Sequence, residues 1–240
     1  MTAQTSTAHD DHATKKTQRR YDRQAAVYDL MELPTELLVF GKLRRKLWTE
    51  VTGKTVLEVG VGTGKNLAYH PESTRTVAVD LSPRMLHRAV VRARRRGRKV
   101  DFVLADAQHM PFHERAFDAA VATFVFCSVP DPVAGLEEMR RIVRDKGRVH
   151  LLEHVRAGNP VIGRLMDLLN PIAVRLTGAN INRDTVANVR KAGVALEGVE
   201  SRAFGIVKWI RGARSEGTAM QERTAITGEA PSSSARQQAQ

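Results

Sequence analysis

The chain has little cysteine, few aromatic residues and no long apolar run. Its single cysteine, Cys127, excludes an intramolecular disulfide framework and any zinc site built from several cysteines, and it favours a reducing compartment. The most apolar run, residues 119–129, is far shorter than the roughly 20 residues that a membrane-spanning helix needs. Residues 1–20 are polar, so we expect no signal peptide. These absences predict a cytoplasmic protein, and no metal site is expected.

Acidic residues are also in the minority. The 240 residues include 38 lysines and arginines against 26 aspartates and glutamates, which gives a formal net charge of +12. A strongly basic chain suits an anionic partner, such as a nucleic acid or an acidic phospholipid surface, or no partner in particular. Charge alone does not choose among these possibilities.

Periodicity divides the chain into one domain and two tails. Residues 1–18 and 214–240 are small, polar and aperiodic, which predicts disordered tails around a single domain at 19–213. Within 19–51, apolar residues recur at steps of three and four, which predicts an amphipathic helix. The apolar stripe consists of Leu33, Leu37, Phe40, Leu43, Leu47 and Val51. Either this stripe docks on the core, or part of the basic helix lies on an anionic membrane surface.

Strand-forming runs alternate with helical patterns from residue 55 onward. We predict strands at 56–59, 76–80, 100–104, 117–126, 148–153, 195–204 and 206–210. Such alternation is typical of a parallel α/β sheet. The first strand ends in Gly60, Gly62 and Gly64, and glycine accepts the positive φ that lets bare backbone amides approach a ligand.

Ligands of open parallel sheets bind where the strands end. Asp80 ends the second strand and Asp106 follows the third, so both carboxylates lie on the edge that carries the glycines. A carboxylate at the end of the second strand can accept both hydroxyls of a ribose. A dinucleotide site would need Gly-x-Gly-x-x-Gly, but Lys65 stands where the last glycine would be. The spacing favours an adenosine ligand without a pyrophosphate.

Five motifs occur in order along this framework. They are VLEVGVGTG at 56–64, VD and SPRML at 79–86, ADA and MPF at 105–112, FD at 117–118 and LEEMRR at 136–141. Together they resemble class I S-adenosylmethionine-dependent methyltransferases, most closely the branch of quinone-biosynthesis and bacterial phosphatidylethanolamine methyltransferases. The resemblance covers residues 21–212. It implies S-adenosylmethionine as cofactor and a Rossmann-like methyltransferase fold, with a mostly parallel seven-stranded sheet and helices on both faces.

Carried over position by position, the resemblance implies a methionine and ribose subsite. Glu58, Gly60 and Gly62 would surround the methionine and the ribose. Asp80 would hold the ribose hydroxyls, and Thr123 would close the methionine end.

The same resemblance implies an adenine subsite. Met85 would pack on the adenine, with plain core packing as the alternative. Asp106 would accept a hydrogen bond from the adenine amino group, with the Ala107 amide beside it, or else cap a turn. The other cofactor-binding positions implied by the motifs are Tyr21, Gly64, Asn66 and Leu81.

Methyl transfer from a sulfonium is an in-line displacement with a neutral leaving group. The protein therefore supplies alignment and a dry pocket rather than a nucleophile, and we interpret Cys127 as a packing residue. An amine or thiol acceptor must lose a proton. Glu153 and His154, just past the fifth strand, are candidate bases, with a hydrogen-bonded structural histidine as the alternative. Tyr28 completes the catalytic candidates, since with Tyr21 it forms a Tyr-Asp-x-x-Ala-x-x-Tyr-Asp pattern that resembles the N-terminal cover of such sites, with plain aromatic packing as the alternative.

An apolar insert at 156–182 follows the fifth strand, and we expect Asn170-Pro171 to break its helical pattern. We predict a lid over an apolar acceptor pocket, with packing on the core as the alternative. The insert, the basic segment 19–51 and the positive charge favour a small-molecule or lipid acceptor, with peripheral binding to an anionic membrane at its inner face. Residues 127–132 (CSVPDP) lack the Asn/Asp-Pro-Pro-aromatic pattern of nucleic-acid N-methyltransferases, so no specific nucleic acid is expected.

The predicted acceptor is phosphatidylethanolamine or a similar lipid amine. Residues 153–155 (EHV) and 178–185 (GANINRDT) are similar to membrane-associated thiol methyltransferases, which makes a small hydrophobic thiol the second hypothesis. A quinone precursor is the third. From another class, a non-catalytic S-adenosylmethionine-binding subunit or an RNA-binding module stays open. The sequence does not determine the oligomeric state.

Overall fold

Seven strands form one mixed sheet in the computed structural model, which describes residues 3–214 apart from the side chains of residues 3–11 and Leu176. The strands are Thr55–Val59 (β1), Arg75–Asp80 (β2), Val100–Leu104 (β3), Phe117–Thr123 (β4), Val143–His154 (β5), Val194–Arg202 (β6) and Val207–Arg214 (β7). Their order across the sheet is β3-β2-β1-β4-β5-β7-β6. Only β7 runs antiparallel to its neighbours. The predicted mostly parallel, seven-stranded sheet is confirmed.

Helices cover the sheet on both faces. They are Ala3–Gln24 (α1), Tyr28–Thr35 (α2), Gly41–Glu50 (α3), Pro83–Arg95 (α4), Pro132–Ile142 (α5), Pro160–Thr177 (α6) and Thr185–Lys191 (α7). A π-helical turn, Glu36–Phe40, joins α2 to α3, and 3-10 turns occupy Lys65–Ala68 and Ala203–Gly205. Among the described helices, none combines the length and the apolar content that crossing a bilayer requires.

Alternate residues of the central strands pack into two apolar cores, one on each face of the sheet. Leu57 on β1 faces α5 and α7, and Val56 beside it faces Leu47 and Trp48 of α3. This division follows from the two-residue period of a strand, which sends successive side chains to opposite faces. Both faces of β1 and β4 are buried, so their switch point forms a rigid base for a site at the carboxyl edge.

Side-chain caps and prolines set where several helices begin. Ser82, Asp131 and Asn159 each accept hydrogen bonds from backbone amides of the first turn, and a proline follows each of them. A proline is tolerated at that position because its missing amide has no partner in the helix. The cap at Ser82 starts α4 directly after the end of β2.

The expected tail at residues 1–18 is corrected by the structure. Helix α1 begins at Ala3 and lies on the domain, where Thr14 Oγ1 donates to Asp106 Oδ2 at 3.2 Å and Gln18 Nε2 donates to the carbonyl of Leu81 at 3.1 Å. Helix α1 docks on the domain through polar side chains and not through an apolar stripe. Its sequence therefore has the polar composition that is also typical of a disordered tail. Strand β7 extends to Arg214, and residues 215–240 of the second expected tail lie outside the described residues.

Two element boundaries also differ from the predictions. β4 ends at Thr123 rather than at residue 126, because Phe124 adopts a left-handed φ of 60° that cannot continue a strand. α6 continues through Pro171, where the sequence predicted a break. Asn170 instead turns its side chain to the following loop and accepts from the Ile181 amide at 2.9 Å.

Candidate active site

The glycine turn after β1 is held open by its backbone conformation. Gly60, Gly62 and Gly64 have φ values of 68°, 56° and 82°, in the left-handed region that favours glycine. A Cβ on Gly60 would lie 2.4 Å from Val125 Cγ2, whereas one on Gly62 would meet nothing within 4 Å. Gly60 is therefore required by packing. Gly62 borders open space that a ligand can fill.

Asp80 lies at the end of β2 and holds the turn in place. Its Oδ2 accepts from the Gly62 amide at 2.7 Å, and its Oδ1 accepts from the Ser82 amide at 2.9 Å. Burial raises the pKa of Asp80 to about 6, although both amides act to lower it. The remaining lone pairs of its carboxylate can accept from the hydroxyls of a ribose.

Asp106 and Ala107 follow β3 at the same edge of the sheet. Asp106 Oδ2 accepts from Thr14 of α1 and, at 2.9 Å, from the side-chain amide of Gln108. Met85, the third residue of α4, is fully buried. The structure thus places α1 over the end of the site that was assigned to adenine.

One cavity joins these features, with a volume of about 850 Å³ that includes space open to solvent. Most of the predicted cofactor and catalytic residues line it. They are Tyr21, Tyr28, Gly60, Gly62, Asp80, Leu81, Met85, Asp106, Ala107 and Thr123. Three predicted cofactor-binding residues, Glu58, Gly64 and Asn66, do not line it.

Glu58 and Asn66 belong to a buried polar chain that leads to the cavity wall. Glu58 Oε2 pairs with His70 Nε2 at 2.7 Å, and its Oε1 accepts from Asn66 Nδ2, also at 2.7 Å. Asn66 Nδ2 also donates to Thr123 Oγ1 at 2.9 Å. Buried polar groups are stable only when hydrogen-bonded, so this chain fixes Thr123 at the end of β4. Glu58 and Asn66 therefore act on the cavity through Thr123.

Arg44 is a cavity residue that sequence reasoning missed. Its buried guanidinium donates to Thr123, to Asn66 Oδ1 at 3.2 Å and to Glu36 Oε2 at 3.2 Å. A signal was available, because Arg44 precedes the apolar Leu47 by three residues and so shares its inward helix face. A cation at a buried position of an amphipathic helix needs a polar partner, here the end of β4.

Lys65 and its neighbours form a second polar group at this end of the cavity. Lys65 Nζ contacts Glu32 Oε2 at 2.5 Å and lies 5.2 Å from the centre of the Tyr28 ring. Tyr28 in turn packs edge-on against Tyr21, with ring centres 6.3 Å apart, and the Tyr21 hydroxyl bonds to Ser128 at 2.5 Å. The predicted N-terminal cover is thus present, with cations that the motif did not reveal.

Comparisons with known proteins agree with this geometry. The family described as "Methyltransferase domain" matches residues 57–151. The chain is 30% identical over 179 residues to a ubiquinone/menaquinone biosynthesis C-methyltransferase of Hahella chejuensis, a match that covers 69% of this chain and 70% of that protein. This chain belongs to the S-adenosylmethionine-dependent methyltransferase family.

Two further relatives support the same conclusion. A phosphatidylethanolamine N-methyltransferase of Cereibacter sphaeroides is 33% identical over 57% of this chain, which spans 66% of that relative's length. A Thermotoga maritima S-adenosylmethionine-dependent methyltransferase of known structure superposes with a TM-score of 0.64 at 21% identity, covering 83% of this chain and all of the other. The methyltransferase fold and the enzyme class predicted from the motifs are confirmed.

The cavity of the methyltransferase fits S-adenosylmethionine, the cofactor of the family. Asp80 offers carboxylate oxygens for ribose hydroxyls, and Gly62 leaves space that a Cβ would fill. Asp106 also lines the cavity, but an adenine amino group would have to replace Thr14 or Gln108 as its donor. The assignment of each residue to an atom of the cofactor stays a prediction.

The candidate bases of the methyltransferase are placed differently from one another. Tyr28 lines the cavity, and Glu153 and His154 do not. Glu153 is fully buried, and its Oε1 accepts from the amides of Val125 at 2.9 Å and Phe126 at 3.2 Å. These contacts favour a role for Glu153 in shaping the loop after β4.

Burial also shifts the protonation of these groups. It raises the pKa of Glu153 to about 7 and lowers that of His154, which packs between the rings of Phe40 and Phe124, to about 4. Burial likewise raises the pKa of the Cys127 thiol to about 12, so the thiol stays protonated at neutral pH. A neutral His154 behind Phe124 is a weak base, and Tyr28 is the only one of the three candidate bases that reaches the cavity.

The predicted lid at 156–182 lies outside this cavity and stays a prediction. None of the described residues that line the cavity comes from this segment. α6 is attached on its polar side, where Asp167 pairs with Arg156 at 2.8 Å and the Ala157 amide contacts Met166 Sδ at 3.4 Å. The apolar side chains of α6 are exposed, whereas Ala157 before it is buried and the Asn180 amide after it donates to the Cys127 carbonyl at 2.9 Å.

Proposed function

We propose that this methyltransferase N-methylates the amine of an amphiphilic lipid of the phosphatidylethanolamine type. The observation that carries the proposal is the mixed polar cluster beside Thr123, where Lys65 and Arg44 alternate with Glu32 and Glu36. A zwitterionic headgroup presents an ammonium and a phosphate a few bonds apart. Such a cluster offers carboxylates to the first and cations to the second.

Tyr28 has the central part in the proposed reaction. When bound, S-adenosylmethionine supplies an electrophilic methyl group. Tyr28 would align the attacking nitrogen, since it lines the cavity and its aromatic face attracts cations. Burial and the nearby Glu32 raise the pKa of Tyr28 well above its usual value, so its hydroxyl stays neutral. Glu32 does not line the cavity, so the proton lost by the ammonium would reach its carboxylate through the Tyr28 hydroxyl, which hydrogen-bonds to Glu32.

The named relatives support an amphiphilic acceptor without selecting one. The Cereibacter relative is named for a lipid amine, and the Hahella relative for a quinone. Methylation of a quinone precursor is therefore the second candidate. It would need no ammonium-binding carboxylate, so the cluster around Lys65 favours the lipid amine.

A substrate panel tests the proposal. The purified full chain is incubated with S-adenosylmethionine and, separately, phosphatidylethanolamine vesicles, a demethylated quinol and a small hydrophobic thiol. We expect S-adenosylhomocysteine and methylated lipid only in the first mixture, measured by mass spectrometry. If the quinol or the thiol is methylated and the lipid is not, that compound replaces the lipid amine as the proposed acceptor.

Tyr28→Phe tests the assigned role. We expect kcat to fall by about 100-fold, in the range of general acid–base effects, with the KM for S-adenosylmethionine little changed. Tyr69→Phe is the matched control, because Tyr69 packs under Arg45 at 5.8 Å and does not line the cavity. Equal activities of the two variants would remove Tyr28 from the mechanism.

A further inference from the structure

The segment from α2 through the π-helical turn has its polar face inward. Asp29 accepts from Thr63 Oγ1 at 2.6 Å and from Arg92 at 2.5 Å, and Glu32 and Glu36 pair with Lys65 and Arg44. The opposite face is aliphatic and exposed. It carries Leu30, Met31, Leu33, Leu37 and Leu38, with Leu37 70% exposed. The apolar stripe predicted for residues 19–51 packs on the core from Phe40 onward. Before Phe40 that prediction is wrong, because the acidic side chains on the opposite face form ion pairs with the domain and the leucines point to solvent.

Helix α6 repeats this arrangement. Its exposed apolar side chains recur at steps of three and four and so form one stripe. They are Val161, Ile162, Leu165, Leu168, Leu169 and Ile172, with Leu168 73% exposed. An amphipathic helix of a water-soluble domain normally buries its apolar stripe, so two such helices with outward stripes indicate a non-aqueous partner.

Phe204 adds an exposed aromatic ring. It is 96% exposed and has a φ of 57°, a conformation that is uncommon for a bulky residue. Backbone strain that presents a phenylalanine to water favours a functional contact over a packing role.

The three segments lie at one edge of the sheet. The Phe40 ring, at the end of the π-helical turn, lies 5.3 Å from the ring of His154, which ends β5 just before α6. The Val155 amide donates to the Ile206 carbonyl at 2.9 Å, next to the turn that carries Phe204. Arg20 of α1 lies against Gly178, at the end of α6. The cavity lies at the same edge, since its lining residues follow the carboxyl ends of β1, β2, β3 and β4.

We propose that residues 30–38, 161–172 and Phe204 form a docking surface for a lipid bilayer that contains anionic headgroups. Its exposed apolar side chains are almost all aliphatic, as in helices that lie in a membrane interface, whereas protein-binding hot spots are rich in Trp, Tyr and Arg. Exposed cations lie on or beside both helices, namely Lys42, Arg45, Arg164 and Arg175, and the net charge is +12. The inference rests on the proposed lipid acceptor, which this surface would bring to the cavity.

Vesicle sedimentation with the full chain tests the surface. The vesicles contain equal parts of phosphatidylcholine and phosphatidylglycerol and hold no amine acceptor, so binding is measured apart from catalysis. We expect the wild type to bind and the triple variant Leu165→Ser, Leu168→Ser, Leu169→Ser to bind at least about tenfold more weakly. Leu37→Ser with Leu38→Ser should act in the same direction. Val199→Ser, a change of an exposed aliphatic on β6, is the control and should bind as the wild type does.

Three outcomes of the binding experiments overturn the proposal. Wild type that stays in the supernatant, or a triple variant that binds equally well, removes the docking surface. A wild-type dimer that the triple variant dissociates, measured by light scattering without lipid, would make a second copy of the chain the occupant. Activity is measured separately on a water-soluble lysophosphatidylethanolamine below its micellar concentration. Turnover of this lipid without binding to vesicles would reject the docking surface and keep the proposed function. Binding to vesicles without turnover of this lipid would keep the docking surface and reject the proposed function.

Discussion

Replacement of Arg44 by methionine tests the buried polar chain of the active site. Methionine keeps the apolar stem and removes the charge that holds Glu36, Asn66 and Thr123 together. Breaking a buried ion pair by removing one partner costs about 3–5 kcal/mol. The Glu36 side chain is 17% exposed to solvent, and Lys65 Nζ lies 4.0 Å from Glu36 Oε2, where it can partly replace the lost cation. We therefore expect the lower end, a loss of about 3 kcal/mol in the free energy of unfolding.

Urea unfolding of four proteins measures this loss: wild type, Arg44→Met, Glu36→Gln and the double variant. If the pair is coupled as its geometry indicates, the double variant recovers about 1–2 kcal/mol relative to the sum of the single changes. Arg45→Met is the matched control, since Arg45 is exposed on the same helix and its replacement should stay within about 0.5 kcal/mol. A loss below about 1 kcal/mol for Arg44→Met, with additive single changes, would refute the reasoning.

Three further predictions concern the cofactor site and the loop behind it. Burial raises the pKa of Asp80 to about 6, and hydroxyls donate more strongly to an ionised carboxylate, so calorimetry should show S-adenosylmethionine binding more tightly as the pH rises from 5 to 7. The trend should vanish in Asp80→Asn, and a pH-independent Kd in the wild type would contradict it. Gly60→Ala should destabilise the fold more than Gly62→Ala, because only the first Cβ meets Val125, and thermal unfolding that ranks them the other way would be decisive against this packing. Burial raises the pKa of Glu153 to about 7 from 4.5, so its ionisation opposes folding. The free energy of unfolding of the wild type should then fall by up to about 3 kcal/mol between pH 5 and pH 8, relative to that of Glu153→Gln. Glutamine is the suitable replacement because it keeps an oxygen that can accept from both amides. Parallel plots of stability against pH for the two proteins would contradict this prediction.

Local sequence was sufficient for the cofactor edge. Gly60, Gly62, Asp80 and Asp106 stand at fixed offsets from strand ends, and parallel strands bring those ends together whatever packs around them. Their conformational and hydrogen-bonding demands are set by the residues themselves and by near neighbours in the chain. The prediction of an adenosine-type site without a pyrophosphate therefore needed no tertiary contact.

Long-range contacts decided the rest of the site. Arg44 reaches Thr123 across 79 positions of the chain, and Thr14 reaches Asp106 across 92. Sequence patterns placed Thr14 in a tail and did not single out Arg44, because no local pattern records a partner so distant in sequence.

The sequence by itself determined the fold class, the enzyme family and the position of the glycine turn, since strand periodicity and turn chemistry are local properties. Only the tertiary structure decided which face of each amphipathic helix points inward. Periodicity shows that Leu37 and Leu168 belong to apolar stripes, but the direction of a stripe depends on what the polar face meets. Here Asp29, Glu32 and Asp167 find cations on or next to the domain, and those ion pairs turn the leucines outward.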